Sequence, residues 1–192
     1  MIEVQNAIKT FDGNQVLKNV SAIFEAGKTN LIIGQSGSGK TVLMKSIVGI
    51  HRIDSGHILY DGRDITIMKR KQLNQLRREI GMLFQGSALF DSMTVLENVR
   101  FPLDMFSDET EDEKDRRARF CLERVELSHA VDLYPSEISG GMQKRAAIAR
   151  AIVLNPKYLF CDEPNSGLDP KTSLLIDKLI QDITHEFNIT TI

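Results

Sequence analysis

The stretch from Gly34 to Thr41 constrains this chain more than any other, because it reads G-x-x-x-x-G-K-T. Its residue types suit a loop that wraps a polyphosphate. Gly37 and Gly39 have no Cβ and can adopt positive φ, so successive backbone N–H groups can point at one anion. Lys40 would then reach the β- and γ-phosphates, and the Thr41 hydroxyl could bind Mg²⁺. The other members of this candidate binding loop are Gly34, Ser36 and Ser38.

A phosphate-binding loop of this type lies between a strand and a helix, and the flanking sequence predicts both. The apolar run 29–33 predicts a strand leading into the loop, and apolar residues with helical spacing in 41–50 predict a helix after it. The N-terminus of that helix would add its dipole to the anion site. The alternative is a chance glycine turn, which the motifs further along the chain argue against.

Composition limits the class of protein. A length of 192 residues suits one domain, and 42% hydrophobic with 26% charged residues is typical of a soluble α/β chain. A net charge of −2 argues against a general nucleic-acid binder, and the basic clusters at 69–71 and 77–78 are interpreted as a solvated helix face. Neither an apolar run of membrane-spanning length nor an N-terminal signal pattern is present, which predicts a cytoplasmic protein. Cys121 and Cys161 lack metal-ligand spacing and are interpreted as reduced thiols.

The order of predicted elements alternates strands and helices. Two antiparallel strands are expected around the turn at 12–14, and a further strand at 58–60. A charged segment at 94–134 is predicted to be helical, with acidic residues 108–115 pairing with Arg116, Arg117 and Arg119. The remaining predicted helices are 69–79, 139–155 and 170–187, and the remaining strands are 80–84, 157–162 and the start of one at 189–192.

Two carboxylates follow an apolar strand. Asp162 and Glu163 come directly after residues 158–161, and the carboxyl edge of a parallel α/β sheet is where ligands bind. Asp162 suits the outer shell of a nucleotide-bound Mg²⁺, and Glu163 suits a base for an attacking water. An Asp-Glu pair that merely ends a strand is the alternative.

A second candidate anion site opens the helix predicted at 139–155. Ser139, Gly140 and Gly141 offer a hydroxyl and free N–H groups at a helix N-terminus. Because the phosphate loop already serves one nucleotide, a second anion site indicates that each nucleotide could be held by two chains.

With these motifs in order, the chain resembles the ATP-binding cassette ATPases over residues 1–192. The resemblance rests on Phe11, the loop Gly34 to Thr41, Gln85, Ser139-Gly140-Gly141, Asp162-Glu163-Pro164 and Ser166-Gly167-Leu168-Asp169. It implies ATP and Mg²⁺ as cofactors, with hydrolysis by in-line attack of water on the γ-phosphate.

The resemblance also implies roles for individual residues. Phe11 would stack on adenine, while Gln85 would touch Mg²⁺ and the water and sense a membrane partner. Ser139 to Gly141 would hold the γ-phosphate of an ATP bound to the other protomer, and Asp169 would cross that interface. Glu163 would be the base, with Lys40 and Mg²⁺ stabilising charge; Thr41, Gln85 and Asp162 would be the residues at the metal.

The implied architecture is a single domain, 1–192, of the P-loop NTPase α/β class. It has a parallel-sheet core, an antiparallel N-terminal β-subdomain and a helical signature subdomain at about 87–155. The implied partners are a second ATPase subunit in a head-to-tail dimer and transmembrane permease subunits, with no nucleic acid. The permease would dock near 85–105, where Leu89, Phe90 and Met93 are apolar, and would hold the protein at the inner face of the cell membrane.

Finer features favour one subgroup. Met142 stands where most cassettes have glutamine, and Asn165 stands where threonine or alanine is usual. Together with the segments 84–95 and 135–138, the Met142 form is similar to cassettes of the Mla or Mce-associated type, which transport phospholipid. An amino-acid importer of the methionine type is the alternative cargo class. Non-transport cassettes carry long coiled coils that this chain lacks, and phosphate-loop kinases and GTPases do not explain Ser139-Gly140-Gly141.

The family pattern continues past the strand at 189–192 with a switch histidine, and His185 does not match that position. We therefore expect a chain truncated before the switch histidine, which binds ATP but hydrolyses it weakly or not at all alone, and which exposes core surface.

Overall fold

The computed structural model describes all 192 residues, in two sheets and six α-helices. The strands are β1 (Ile2–Phe11), β2 (Asn14–Phe24), β3 (Ser55–Tyr60), β4 (Arg63–Asp64), β5 (Ile80–Leu83), β6 (Tyr158–Cys161) and β7 (Thr190–Thr191). The helices are α1 (Lys40–Ile47), α2 (Arg70–Arg77), α3 (Val95–Phe106), α4 (Glu111–Arg124), α5 (Gly140–Ile152) and α6 (Pro170–Glu186). None of the helices combines the length and apolar composition needed to cross a bilayer.

The N-terminal sheet is antiparallel, with strand order β2-β1-β3-β4. The predicted pair of strands is confirmed, and its turn joins Phe11 to Asn14 through Asp12 and Gly13, both at positive φ. The pattern did not indicate that β1 is an inner strand. Ile2 pairs with Phe24 on β2 and with Tyr60 on β3, so β1 is covered along both edges.

The second sheet is parallel, with order β5-β6-β7, as the predicted α/β class requires. Side chains of β6 alternate between its two faces. Leu159 enters a core formed with the helices α3 to α6, whereas Tyr158 and Phe160 enter a core formed with the antiparallel sheet and α1. The short parallel sheet is therefore the wall between two hydrophobic cores.

The predicted strand at 29–33 is wrong beyond its first residue. Thr29 forms a single parallel bridge with Thr191, and the N–H of Asn30 donates to the Thr191 carbonyl at 2.7 Å. No ladder continues along the following residues, because β7 is only two residues long. Leu31 and Ile33 are consequently 79% and 84% exposed.

The helical prediction for 94–134 holds in part, since residues 107–110 break the segment into α3 and α4. Thr110 caps α4 and accepts a hydrogen bond from the Glu113 N–H. Arg119 pairs with Asp115 at 2.7 Å, as expected for i, i+4 charges. Arg117 does not pair with an acid. It donates to the carbonyl of Val153 at 3.0 Å and so ties α4 to the end of α5.

Candidate functional site

The phosphate loop joins the antiparallel sheet to α1. Gly37 and Gly39 have φ of 78° and 94°, which is the left-handed conformation that glycine tolerates. Gly39 is the N-cap of α1, and no side chain caps that end. Lys40 turns back over the loop, where its Nζ donates to the carbonyls of Gly34 at 2.8 Å and Gln35 at 3.1 Å. The loop thus combines an uncapped helix N-terminus with an ammonium group.

Close packing fixes where this loop lies. A Cβ at Gly39 would meet Val16 Cγ1 at 3.2 Å and the Val16 carbonyl at 3.3 Å, so the loop rests directly on β2. A Cβ at Gly34 would meet the Ser38 hydroxyl at 2.7 Å, within the loop itself. Ser36 and Ser38 are exposed.

The carboxyl edge of β6 faces the same loop. A cavity of about 220 Å³ is lined by Lys40, Thr41, Asp162 and Glu163 together with Cys161. The Asp162 N–H donates to the Leu83 carbonyl at 2.9 Å, which continues the parallel ladder to the carboxylates. The four predicted residues are therefore brought together.

Glu163 sits in a strained backbone position. Its φ is 46°, which is unusual for a residue with a side chain. Its Oε2 accepts a hydrogen bond from Gln85 Nε2 at 3.0 Å, and the same nitrogen lies 3.2 Å from the Ser166 hydroxyl. Gln85, a predicted site residue that lies 78 positions before Glu163 in the sequence, is thus in contact with the candidate base.

The donor set at this edge fits a magnesium ion. Thr41 supplies a hydroxyl, Asp162 a carboxylate and Gln85 an amide oxygen, which are the hard oxygen donors that Mg²⁺ prefers. No group of three or more His, Cys, Asp or Glu side chains could hold a metal by itself. The arrangement suits an ion that phosphate oxygens of a nucleotide would help to coordinate.

Phe11 lies at the end of β1, apart from this cavity. Its side chain is 37% exposed, and its ring meets the His51 ring edge-on at a centroid distance of 5.4 Å. Lys9 Nζ lies 5.1 Å from the ring centroid. Part of the Phe11 ring remains accessible to solvent. Phe11 ends the first strand of the β1–β2 hairpin, and the phosphate loop rests on the second strand, β2.

The residues Ser139, Gly140 and Gly141 line a different cavity, of about 630 Å³, between α5 and α6. Ser139 caps α5 and accepts a hydrogen bond from the Met142 N–H at 3.3 Å, as its position in the sequence predicts. A Cβ at Gly141 would meet Thr172 Cγ2 at 2.8 Å, so this glycine permits close contact of α5 with α6.

Asp169 lies at the same cavity and caps α6. Its Oδ1 accepts the N–H groups of Lys171 and Thr172 at 3.0 and 3.1 Å. The hydrogen bond from the Thr172 hydroxyl, followed by these backbone bonds, lowers the pKa of Asp169. No residue of this cavity also lines the cavity of the phosphate loop, so one chain carries two separate candidate anion sites.

An apolar groove of about 790 Å³ lies between α2, β5, α3 and α5. It includes Phe90, which was predicted for a docking groove, but Leu89 packs against the helical core instead. Its other apolar members are Ile80, Met82, Phe84, Ala88, Phe101, Pro102, Phe106, Ala151 and Leu154, with Arg77, Arg78 and Arg150 among its polar residues.

Sequence reasoning missed Lys144, which is 4% exposed and whose Nζ donates to the Gln85 carbonyl. A signal was available. Lys144 is followed by the alanines of α5, which are buried. A helix rich in alanine packs closely against its neighbours, so a lysine within it is expected to be buried as well.

The sequence profile of a family described as "ABC transporter" matches residues 17–166. The chain is 40% identical over 189 residues to the probable ribonucleotide transport ATP-binding protein mkl of Mycobacterium leprae (strain TN), which covers 98% of the chain and 54% of that relative. It is 38% identical over 192 residues to the methionine import ATP-binding protein MetN of Clostridium acetobutylicum, covering 100% of the chain and 60% of that relative. The chain therefore spans between about half and two thirds of the length of these relatives.

Two solved structures share the fold. The ATP-binding cassette MJ0796, as a dimer in a post-hydrolysis state bound to ADP and Pi, has a TM-score of 0.87 at 32% identity and covers 100% of this chain and 85% of its own. The cbiO1 protein of Clostridium perfringens, described as part of the ABC transporter complex cbiONQ, has a TM-score of 0.92 at 34% identity. The match covers 99% of this chain and 76% of cbiO1.

Proposed function

Since the chain belongs to the ABC transporter family, we propose that it is the subunit that binds and hydrolyses ATP to drive a membrane transporter. The observation that carries the proposal is one cavity lined by Lys40, Thr41, Asp162 and Glu163, with Gln85 bonded to Glu163. A phosphate loop and a carboxylate edge that face each other are the two parts that phosphoryl transfer to water needs.

Each residue has a distinct task in this mechanism. The N–H groups of the loop and Lys40 bind the phosphates and stabilise the charge that develops on them. Thr41, Asp162 and the Gln85 oxygen would hold Mg²⁺, which neutralises phosphate charge when bound. Glu163 accepts the proton of the attacking water, and Gln85 orients that carboxylate through its 3.0 Å hydrogen bond. Phe11 offers its accessible face to the adenine ring.

A second copy of the chain would complete each site. Ser139, Gly140, Gly141 and Asp169 surround a cavity of their own and do not reach the phosphate loop of the same chain. A head-to-tail dimer would bring them to the γ-phosphate held by the other chain, with free N–H groups at the start of α5 as donors. The dimeric form of the similar cassette MJ0796 supports this arrangement.

We propose that permease subunits dock at the apolar groove, which would hold the protein at the inner face of the cell membrane. The exposed rings of Phe84, Phe90 and Phe106 suit a short amphipathic segment of a partner. The similar protein cbiO1 is described as part of a transporter complex, which supports a partner of this kind.

For the cargo we propose a phospholipid, on the resemblance of Met142 and the segments 84–95 and 135–138 to the Mla or Mce-associated type. Methionine import is the second candidate, favoured by the 38% identity to the protein named MetN. The discriminating experiment reconstitutes the ATPase with its permease. Stimulation of ATP hydrolysis by phospholipid vesicles supports the first cargo, and stimulation by methionine alone replaces it with the second.

The substitution Glu163→Gln tests the hydrolytic mechanism. We expect hydrolysis by the full-length protein to fall by about 100-fold or more, because general base catalysis is lost, while the affinity for ATP stays within about 2-fold. Glu123→Gln on the exposed side of α4 is the matched control, since that side chain makes no polar contact. Normal turnover by Glu163→Gln would exclude Glu163 as the base.

A further inference from the structure

The loop 85–88, which follows β5, has an unfavourable backbone conformation. Ser87 and Ala88 have φ of 61° and 50°, so two consecutive residues with side chains are left-handed. The Ala88 N–H donates to the Gly86 carbonyl at 2.6 Å in a tight turn. Such a conformation persists only when the surroundings hold it, and Gln85 at its start makes the contact with Glu163.

Two cations of α5 hold this loop by its carbonyl groups. Lys144 Nζ donates to the Gln85 carbonyl. Arg150 donates through Nη1 to the Ala88 carbonyl and through Nη2 to the Ser87 carbonyl, both at 2.7 Å. Three of the four carbonyls of the loop therefore accept hydrogen bonds from one helix.

Neither cation has a carboxylate partner. No acidic side chain lies within 4.0 Å of Lys144 or Arg150, and desolvation by burial lowers the pKa of each. Lys144 is 4% exposed, and a buried charge that binds only backbone carbonyls is costly for stability. Arg150 is half-buried at the apolar groove. An apolar side chain would fill the space of Lys144 at lower cost, so the convergence of both cations on these carbonyls points to a role in placing the loop.

The helix that carries the two cations is itself fixed against β5. A Cβ at Gly81 would lie 2.2 Å from the Ala151 carbonyl, so the backbones of β5 and α5 are in direct contact. The loop begins just after β5, and its distance from α5 is consequently set by that contact. The cations can hold the loop in place because the helix that carries them, α5, is packed directly against β5, the strand from which the loop begins.

We propose that Lys144 and Arg150 are positioning residues for ATP hydrolysis, which hold the loop 85–88 so that Gln85 reaches Glu163. This inference rests on the proposed function. The N-cap of α5 is Ser139, which the proposed dimer places at the γ-phosphate of the other chain. One rigid helix then connects that phosphate contact to the carboxylate that activates water.

The test compares Lys144→Met with wild type in the full-length protein. Lys144→Arg, which retains the donor, is the rescue variant, and Lys71→Met on the exposed side of α2 is the matched control. Amide hydrogen exchange of the loop reports its stability without any need for activity. Steady-state kinetics separate kcat from KM.

We expect Lys144→Met to speed exchange in the loop by about 10-fold, with α5 still protected. It should lower kcat by about 10-fold while KM for ATP changes less than about 2-fold, and Lys144→Arg should recover part of both. Arg150→Met should show the same pattern. This second variant tests the proposal even if Lys144→Met fails to fold.

Unchanged exchange in both variants would overturn the bridge between α5 and the loop. Faster exchange with normal kcat would overturn the positioning role. A wild-type protein that binds no ATP would instead overturn the proposed function, and this outcome is distinct because exchange in the loop is measured without nucleotide.

Discussion

Both candidate anion sites contain glycines, but Gly37 in the first and Gly141 in the second serve different physical purposes. In the phosphate loop, Gly37 has a φ of 78° and nothing within 4 Å of an added Cβ, so conformation alone requires a glycine there. In α5, Gly141 has an ordinary helical backbone, and an added Cβ would meet Thr172 Cγ2 at 2.8 Å. Gly37 is therefore needed for its backbone angle, and Gly141 is needed for space.

The comparison explains how one chain would contribute to two sites without completing either in the proposed dimer. The backbone conformation of the phosphate loop orients its own N–H groups, and Lys40, Asp162 and Glu163 line the adjacent cavity. The start of α5 is an ordinary capped helix end, and its glycines let α6 approach so that Asp169 shares the cavity. We therefore expect the first region to bind nucleotide and the second to act only on a nucleotide that another chain holds.

The largest expected effect is at Lys40. Lys40→Met should weaken ATP binding by about 100-fold or more, because the ammonium is the charged donor of the loop. Titration calorimetry with Mg²⁺ and ATP measures it, with Lys71→Met as control. An affinity within a few-fold of wild type would contradict the assignment of the loop.

The second prediction separates the two regions. Ser139→Ala should leave ATP affinity within about 2-fold and lower hydrolysis about 10-fold, since a donor to the γ-phosphate is lost only in the dimer. Ser128→Ala, at an exposed position, is the control.

Mixing the two defective chains sharpens this prediction. A mixed dimer of Lys40→Met with Ser139→Ala contains one site with both defects and one with neither. Random mixing should therefore restore about a quarter of the wild-type hydrolysis per chain. No restoration above the separate variants would exclude the head-to-tail arrangement.

The third prediction tests the two reasons for glycine. Gly141→Ala should destabilise the fold by about 1–3 kcal/mol, because the new methyl group overpacks the contact with Thr172. Adding Thr172→Ser removes Cγ2, keeps the hydroxyl bonded to Asp169, and should recover most of the loss in chemical denaturation. Gly37→Ala should cost about 1 kcal/mol through strain, and no neighbouring substitution should relieve it.

The smallest expected effect concerns the loss of stability at low pH. Arg63 donates two hydrogen bonds to Glu79, at 2.8 and 2.7 Å, and ties the sheet beneath the phosphate loop to β5. This pairing lowers the pKa of Glu79 below its usual 4.5. Its contribution is therefore complete above that value and is lost as the pH falls through the lowered pKa.

We expect Glu79→Gln to reduce the free energy of unfolding by about 1 kcal/mol near neutral pH, and by progressively less as the pH falls through the lowered pKa of Glu79. Urea denaturation over a series of pH values from neutral to acid, with Glu123→Gln as control, measures the difference.

Local patterns predicted most of the elements, because each depends on its own spacing and caps. Alternation in β1 and β2 and the Ser139 cap of α5 are examples in which neighbouring residues determine the outcome. The strand over 29–33 was wrong because a strand needs a partner, and the pattern of Leu31 and Ile33 carries no information about one.

The candidate site was predicted unevenly for the same reason. Motif spacing identified Lys40, Thr41, Asp162 and Glu163, and the structure brings them to one cavity. The contact of Gln85 with Glu163 spans 78 positions, so only resemblance could suggest it. Lys144 was missed although the alanines that follow it indicate a buried position, because residue type carries no information about its carbonyl partner.

The alternation of side chains along β6 has a consequence for the order of folding. Phe160 closes the core that contains Ile2, and Leu159 closes the core that contains Val95. During synthesis neither core can be sealed until β6 leaves the ribosome, although the phosphate loop emerges more than a hundred residues earlier. We expect the nascent phosphate loop to remain unformed for most of translation, and nucleotide to be bound only once that late strand has joined the two halves.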